Sequence, residues 1–281
     1  MRTKPITKET AALFEAYLYS TEKSRNTVIK YSHDVAVFLE RLGDTCASKE
    51  FTVGYKRELC ERFAPSSVNS MLSSLNSFFE FAGRRDLKVK TLRIQRRIFA
   101  DKSRELTKAD YEKLLESAKS RGDSRMYCLM QTMGATGLRV SELRCVTAEA
   151  VKAGHATINC KGKIRCVFLP PQLCELLGEY TAERRIKSGP VFISRKGVPL
   201  DRSNVWKMLK RECEKADVPS GKVFPHNFRH LFARTYYSDR KDIVRLADLL
   251  GHSNINTTRI YTAESGDSLC VQLQHLGLLL C

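Results

Sequence analysis

Hydrophobic residues recur at three- and four-residue intervals through the first part of the chain, the spacing of helices that bury one face. Residues 8–20 place Leu13, Phe14, Tyr17 and Leu18 on such a stripe. A second stripe (Val28, Tyr31, Val35, Phe38, Leu39, Leu42) starts after Ser24 and stops at Gly43, a residue suited to helix ends. Lys49 to Phe63 predicts a third helix. Pro65, tolerated at a helix start, opens a fourth that turns Val68, Met71, Leu72, Leu75, Phe78 and Phe79 inward. Residues 1–83 thus predict a four-helix domain.

The period breaks at Arg84. In residues 84–97, RRDLKVKTLRIQRR, seven of fourteen side chains are basic and one is acidic, with no apolar stripe. Residues 84–105 therefore predict a basic interdomain linker. Such a run is an ordinary solvated charge cluster or a set of phosphate contacts: Arg84, Arg85, Lys88, Lys90, Arg93, Arg96 and Arg97. Helical spacing returns after Thr107, which with Asp110 forms a capping-box pattern. It continues from Ser124 until Gly134 and Gly137, expected to break that helix, and Leu138 to Leu143 predicts the start of another. Two short runs, Ala156 to Cys160 and Arg165 to Leu169, flank Lys161-Gly162-Lys163 and predict a β-hairpin. Helices are expected again at Leu173, Arg202, Phe228 and Asp242, and the apolar tail from Asp267 has a helical pattern. Residues 106–281 thus predict a second, mainly α domain with a small sheet.

Composition narrows the partner. The 281 residues suit two domains. An excess of 48 Lys and Arg over 31 Asp and Glu, a net +17, favours a polyanion. That polyanion is DNA, RNA or an anionic membrane surface; no apolar run reaches the ~20 residues of a membrane span, and no membrane partner is expected. The N-terminus lacks a signal-peptide pattern. The ten cysteines are scattered without a C-x-x-C pair, which predicts free thiols, a reducing intracellular setting and no structural zinc.

Residues 224–262 concentrate His226, Arg229, His230, His252 and Tyr261, and Arg139 lies upstream in ATGLRVSEL. Two guanidiniums can hold the nonbridging oxygens of one phosphate. Histidines supply hydrogen bonds or proton transfer near neutral pH, and a tyrosine can be a covalent nucleophile. Singly each has an ordinary explanation: a surface arginine, a helix-start histidine, a packed tyrosine. Their joint occurrence is what singles them out. His226 and His230 share a helix face at the spacing of H-E-x-x-H zinc sites, but Asn227 stands where that motif's glutamate would be, so no metal is expected. No phosphate-cradling G-x-x-x-x-G-K-[ST] loop is present either.

ATGLRVSEL, the hairpin lysines in CKGKIR, HNFRH, and GHSNINTTRIY closely resemble the tyrosine recombinase (phage integrase) family, whose pattern is T-G-x-R-x-x-E-L, a hairpin Lys, H-x-x-R-H, then L-G-H and a Tyr nine residues later. Here Leu250-Gly251-His252 precedes Tyr261 by that nine. The resemblance implies a mainly α chain, with a SAM-like four-helix core-DNA-binding domain and a mixed α/β catalytic domain ending in an exchange helix that docks into a neighbouring protomer; packing of this tail on its own core is the other reading. It also implies an Xer-like arrangement without an arm-binding domain. By the same resemblance, Arg139 and Arg229 clamp the scissile phosphate, Lys161 is the general acid, and His226 assists proton transfer. His252 hydrogen-bonds the phosphate, and Tyr261 attacks to leave a 3′-phosphotyrosyl bond. Glu142 and His230 support these groups. The hairpin turn is one residue shorter than the common KGxKxR form, so Lys163 competes with Lys161.

The implied enzyme is a site-specific DNA strand transferase needing no cofactor. It would act on double-stranded DNA as a homotetramer through a Holliday junction, in the cytoplasm at the bacterial nucleoid. Its use could be integration and excision of a mobile element or Xer-type resolution. The linker residues from Arg84 to Arg97 would then touch DNA. Competing readings are a type IB topoisomerase-like enzyme, an inactive DNA-binding accessory protein, and an RNA-binding protein, the last without any stacking-aromatic box to support it.

Overall fold

The computed structural model describes residues 6–94, 102–160 and 163–261, without the side chains of Lys102, Cys160 and Lys163. The chain divides into two compact units, Met1–Arg96 and Arg97–Cys281. Among the described residues no helix is long and apolar enough to cross a membrane.

Four helices build the first unit: α1 (Lys8–Ser20), α2 (Arg25–Leu42), α3 (Lys49–Arg62) and α4 (Pro65–Phe81). Thr7, Ser24 and Ser48 cap the first three by accepting a backbone N–H one turn in, and Pro65 opens the fourth. A cap of this kind is worth about 1 kcal/mol. The core is aromatic, with Phe14, Phe38, Phe78 and Phe79 fully buried and Phe38 edge-on to Phe79 at 5.5 Å. The α1 stripe is narrower than its spacing predicts. Phe14 and Leu18 are buried, whereas Leu13 and Tyr17 are 57% and 42% exposed. Two neighbouring helices cover only a narrow strip of a terminal helix.

The basic segment after α4 begins as part of this unit. Leu87 and Val89 are buried in its core. Asn76 exchanges two hydrogen bonds with the Val89 backbone, at 2.8 and 2.9 Å, and Asn69 exchanges two with Leu92, at 2.9 and 2.7 Å. The carboxamides act as substitute strand partners for an extended segment. Lys49 and Lys56 donate to the Lys88 and Lys90 carbonyls. Residues 85–92 of the expected linker are thus strapped to the first unit.

The second unit is helical around one hairpin. Its elements are α5 (Lys108–Ser120), α6 (Ser124–Thr136), α7 (Ala148–Ala153), β1 (His155–Cys160), β2 (Lys163–Phe168), α8 (Pro171–Glu183), α9 (Arg202–Ala216), α10 (Pro225–Arg240), α11 (Ile243–Leu250) and α12 (Ile255–Thr258). The strands pair antiparallel, His155 with Phe168 through Cys160 with Lys163. Thr107 and Asp110 form the expected capping box at α5.

Two expectations are corrected here. Gly134 does not break α6; it lies inside the helix, where a Cβ would sit 2.6 Å from the Tyr111 hydroxyl. It is a point of close approach. The helix ends instead at Gly137, at φ +62°, in the left-handed region that glycine occupies without strain. The segment after it is not an α-helix: Arg139 is extended and Val140–Cys145 is a short 3-10 turn. Glu142 folds back to accept the Arg139 N–H at 2.8 Å, which stabilises a tight turn in place of a longer helix. The apolar tail falls outside the described residues, as does its helical expectation.

Candidate active site

Three turns and one helix bring the candidate residues together. The first is the turn after α6. Glu142, 4% exposed, accepts from the Arg139 backbone and, at 3.0 Å, from the Arg139 guanidinium. It also accepts from Arg165 of β2 at 2.6 Å. Burial alone would raise the Glu142 pKa, but the Arg139 N–H and the Arg165 and Arg139 guanidiniums outweigh it, so the carboxyl lies below its ordinary value. An ionised Glu142 is what holds Arg139. The Arg139 side chain stays 40% exposed, charged and facing solvent.

Helix α10 begins at Pro225, with Phe224 extended before it. The spacing of His226, Arg229 and His230 sets their side chains along one side of that helix. Asn227 points elsewhere, donating to the Arg104 and Lys222 carbonyls at 2.7 and 2.6 Å. Arg229 is 1% exposed, an extreme burial for a guanidinium. It donates to the Gly137 carbonyl at 2.8 Å and the Leu250 carbonyl at 2.7 Å, joining the ends of α6 and α11. Its Nε has no hydrogen-bond partner among the described residues. Burial, then the nearby Arg139 charge, lowers its pKa to about 10, which Tyr261 partly opposes. Arg229 remains cationic at neutral pH.

The third group follows α11. Gly251, at φ +65°, ends the helix, and the His252 N–H returns to the Ala247 carbonyl at 2.9 Å. The Arg229 guanidinium lies 2.9 Å from His252 Nε2, and His252 Nδ1 lies 2.8 Å from the hydroxyl of the fully buried Thr258. A guanidinium only donates, so Nε2 must accept, and the ring proton is on Nδ1. Tyr261, 4% exposed, lies in the turn Arg259–Tyr261. The His230 ring meets it edge-on at 4.8 Å, and the His252 ring lies nearly parallel to it at 6.0 Å. His226 in turn meets His230 at 4.9 Å.

All three histidines are held neutral. For His226, burial and then Arg229, Arg139 and Arg202 lower the pKa. Burial pushes His230 down to about 4, helped by His226 and Arg234. Burial does the same for His252, again to about 4, helped by Arg229 and Arg139. Among the described residues the site is therefore cationic through arginines alone, with neutral imidazoles beside a buried phenol. That combination attracts an anionic group, offers donors to its oxygens, and has a nucleophile at hand.

Arg139, Glu142, His226, Arg229, His230, His252 and Tyr261 are thus one cluster, although Arg139 and Tyr261 are 122 positions apart. Lys161, Arg96 and Arg97 lie outside the described residues, as does the Lys163 side chain. The remaining basic candidates lie on the first unit: Arg84 pairs with Asp86 at 2.7 Å, and Arg85 and Lys88 both pair with Glu80. Exposed pairs of this kind contribute little and release readily. Lys90 and Arg93 are exposed beside them. Two members of the cluster, Arg165 and Thr258, lie within the segments CKGKIR and GHSNINTTRIY but carry no assigned role in the sequence reading. Arg165 left a legible trace: it falls in phase with Val167 and Leu169, on the buried side of β2. Thr258 carries no such signal.

The sequence profile described as the phage integrase family matches residues 104–267, and that of the phage integrase N-terminal SAM-like domain matches residues 11–86. Tyrosine recombinase XerA of Pyrococcus furiosus is 28% identical, over 99% of this chain and 98% of its own. Tyrosine recombinase XerA of Thermococcus kodakarensis is 31% identical, over 91% of each. The crystal structure of a lambda integrase tetramer bound to a Holliday junction matches 92% of this chain and 78% of its own, at 17% identity and a TM-score of 0.73. At that identity the structural likeness speaks for the fold.

Proposed function

We propose, from the premise that this chain belongs to the phage integrase family and is a tyrosine recombinase, the residue roles and the course of its strand exchange. The observation that carries the reading is the burial of Arg229 against both His252 and Tyr261, with Arg139 close enough to depress its pKa. The Gly137 and Leu250 carbonyls offset only part of the cost of burying this charge, and an anion held beside Arg229 would offset more.

Arg139 and Arg229 hold the nonbridging oxygens of a scissile phosphate and stabilise the charge that develops on them. The Tyr261 hydroxyl attacks phosphorus, and neutral His226 assists removal of its proton. The 5′ oxygen leaves with a proton from Lys161, and a 3′-phosphotyrosyl bond preserves the phosphodiester energy for rejoining. An arriving phosphate displaces His252 from Arg229; its negative charge raises the imidazole pKa, so Nε2 gains a proton to donate. Glu142 holds Arg139, and His230 packs the nucleophile.

The substrate is a short double-stranded site, bound mainly through phosphates, including contacts from Arg84 to Arg97. Four copies exchange strands through a Holliday junction, the apolar tail docking between neighbours, in the DNA-containing cytoplasm. Mobile-element integration or Xer-type resolution is the corresponding role.

Covalent trapping tests the reading. Protein is incubated with a random pool of nicked duplexes, and DNA that survives denaturation on the protein is sequenced. Wild type should enrich one site, and Tyr261→Phe should bind that site without adduct. An adduct from Tyr261→Phe, or none from wild type under binding conditions, would refute the assignment. Lys161→Ala should recover cleavage on a 5′-bridging phosphorothiolate, whose leaving group needs no proton.

A further inference from the structure

Arg165 leaves the hairpin turn on the inward phase of β2, beside Val167 and Leu169. Its guanidinium ends in two attachments that belong to different parts of the site. One Nη donates to Glu142 Oε2, the oxygen that also accepts the Arg139 N–H. The other donates to the Leu249 carbonyl at 2.9 Å, one residue before the carbonyl that accepts from Arg229. The stem crosses Gly251 so closely that a Cβ there would lie 2.4 Å from Arg165 Cδ and 2.6 Å from Nε. Gly251 directly precedes His252. One side chain is therefore fastened to the turn that carries Arg139 and packed against the turn that carries His252.

We infer that Arg165 is a positioning residue for strand cleavage, holding Arg139 through Glu142 and His252 through the end of α11 in one geometry around the scissile phosphate. This rests on the phosphate roles proposed above for Arg139 and His252. A planar fork can address a carboxylate and a carbonyl at once; a lysine ammonium cannot keep both directions. Stabilising the hairpin does not require it, since Ala156, Ile158 and Val167 already bury that element.

The test uses the full chain and the site recovered by trapping with wild type, presented as a nicked duplex. Affinity and single-turnover adduct formation are measured for wild type, Arg165→Met and Arg165→Lys. Unchanged affinity is expected, with adduct formation slowed on the order of 10²-fold in Arg165→Met, the scale of an ångström of misplacement. Arg165→Lys should lose less, because it keeps the charge beside Glu142. The Arg165→Met loss should persist on a 5′-bridging phosphorothiolate, since the clamp and not the leaving-group proton is disturbed. It should also shrink in a Glu142→Gln background, because both act through Arg139.

A wild-type rate in Arg165→Met, full rescue by the phosphorothiolate, or full additivity with Glu142→Gln would overturn the inference. So would loss of folding and affinity in both variants, which would make Arg165 a fold-stabilising group only. Absence of adduct from wild type would sink the underlying chemistry, and this inference with it, before any variant is compared.

Discussion

Gly137 joins the end of α6 to the candidate active-site cluster, and Gly137→Ala should damage both stability and cleavage. Two separable penalties follow from the structure. At φ +62° an alanine sits in the left-handed region, which costs roughly 1–2 kcal/mol. Its Cβ would also lie 2.6 Å from Phe232 Cδ1 and 3.2 Å from Leu250 Cδ2. Relieving such an overlap by shifting packed groups costs about 1–3 kcal/mol. The sum, roughly 2–5 kcal/mol, is a large part of a typical domain's stability but need not exhaust it. Phe232 is only partly buried, so Phe232→Leu is a usable partner mutation. The double variant should recover the steric part and leave the backbone part, a coupling of about 1–3 kcal/mol. Trp206, the only tryptophan, is on α9 of the second unit, so its fluorescence during denaturant unfolding reports on that unit. Because the Gly137 carbonyl accepts from Arg229, adduct formation should fall as well. A Gly137→Ala protein as stable as wild type, or a double variant no better than the single, would refute this account.

Three further outcomes follow from the geometry. Acid should destabilise the second unit. The unfolded histidines titrate near 6.5 and His230 and His252 near 4, so the unfolded chain binds more protons between those values and stability is lost as pH falls through them. Melting temperature should drop over that window and His230→Asn should flatten the slope; a flat wild-type profile would contradict the neutral histidines. Arg229→Lys should keep a positive charge yet lose the paired bonds to Gly137 and Leu250, lowering adduct formation by on the order of 10²–10³-fold; near-normal cleavage would show that charge alone suffices. Asn76→Ala should release the Val89 backbone and weaken the first unit by about 1–2 kcal/mol, read as faster tryptic cleavage at Lys88 or Lys90; unchanged proteolysis would mean that the buried Leu87 and Val89 hold the segment unaided.

Much of this was legible along the chain. Apolar spacing located the helices because burial of one face is a local, periodic demand, and Val28 through Leu42 met it nearly residue for residue. The boxes around Arg139, His226 to His230, and His252 to Tyr261 identified the family, because phosphate chemistry constrains residue types at short spacings. Long-range approach had no local sign. Gly134 looked like a helix breaker until Tyr111 was found against it. Arg139 looked like a helical residue until Glu142 turned back to it. The pairing of Asn69 and Asn76 with the Leu92 and Val89 backbones has no local sign in the sequence.

The sequence by itself determined most of the helices, the hairpin and the excess positive charge, since helix and hairpin signals depend on neighbours within a few residues and charge on composition alone. Only the tertiary structure decided that Arg229 is buried, that the imidazoles are neutral, and that Arg165 reaches both Glu142 and Leu249. Protonation and orientation depend on the local dielectric and on partners up to a hundred residues away, and those exist only once the chain has packed.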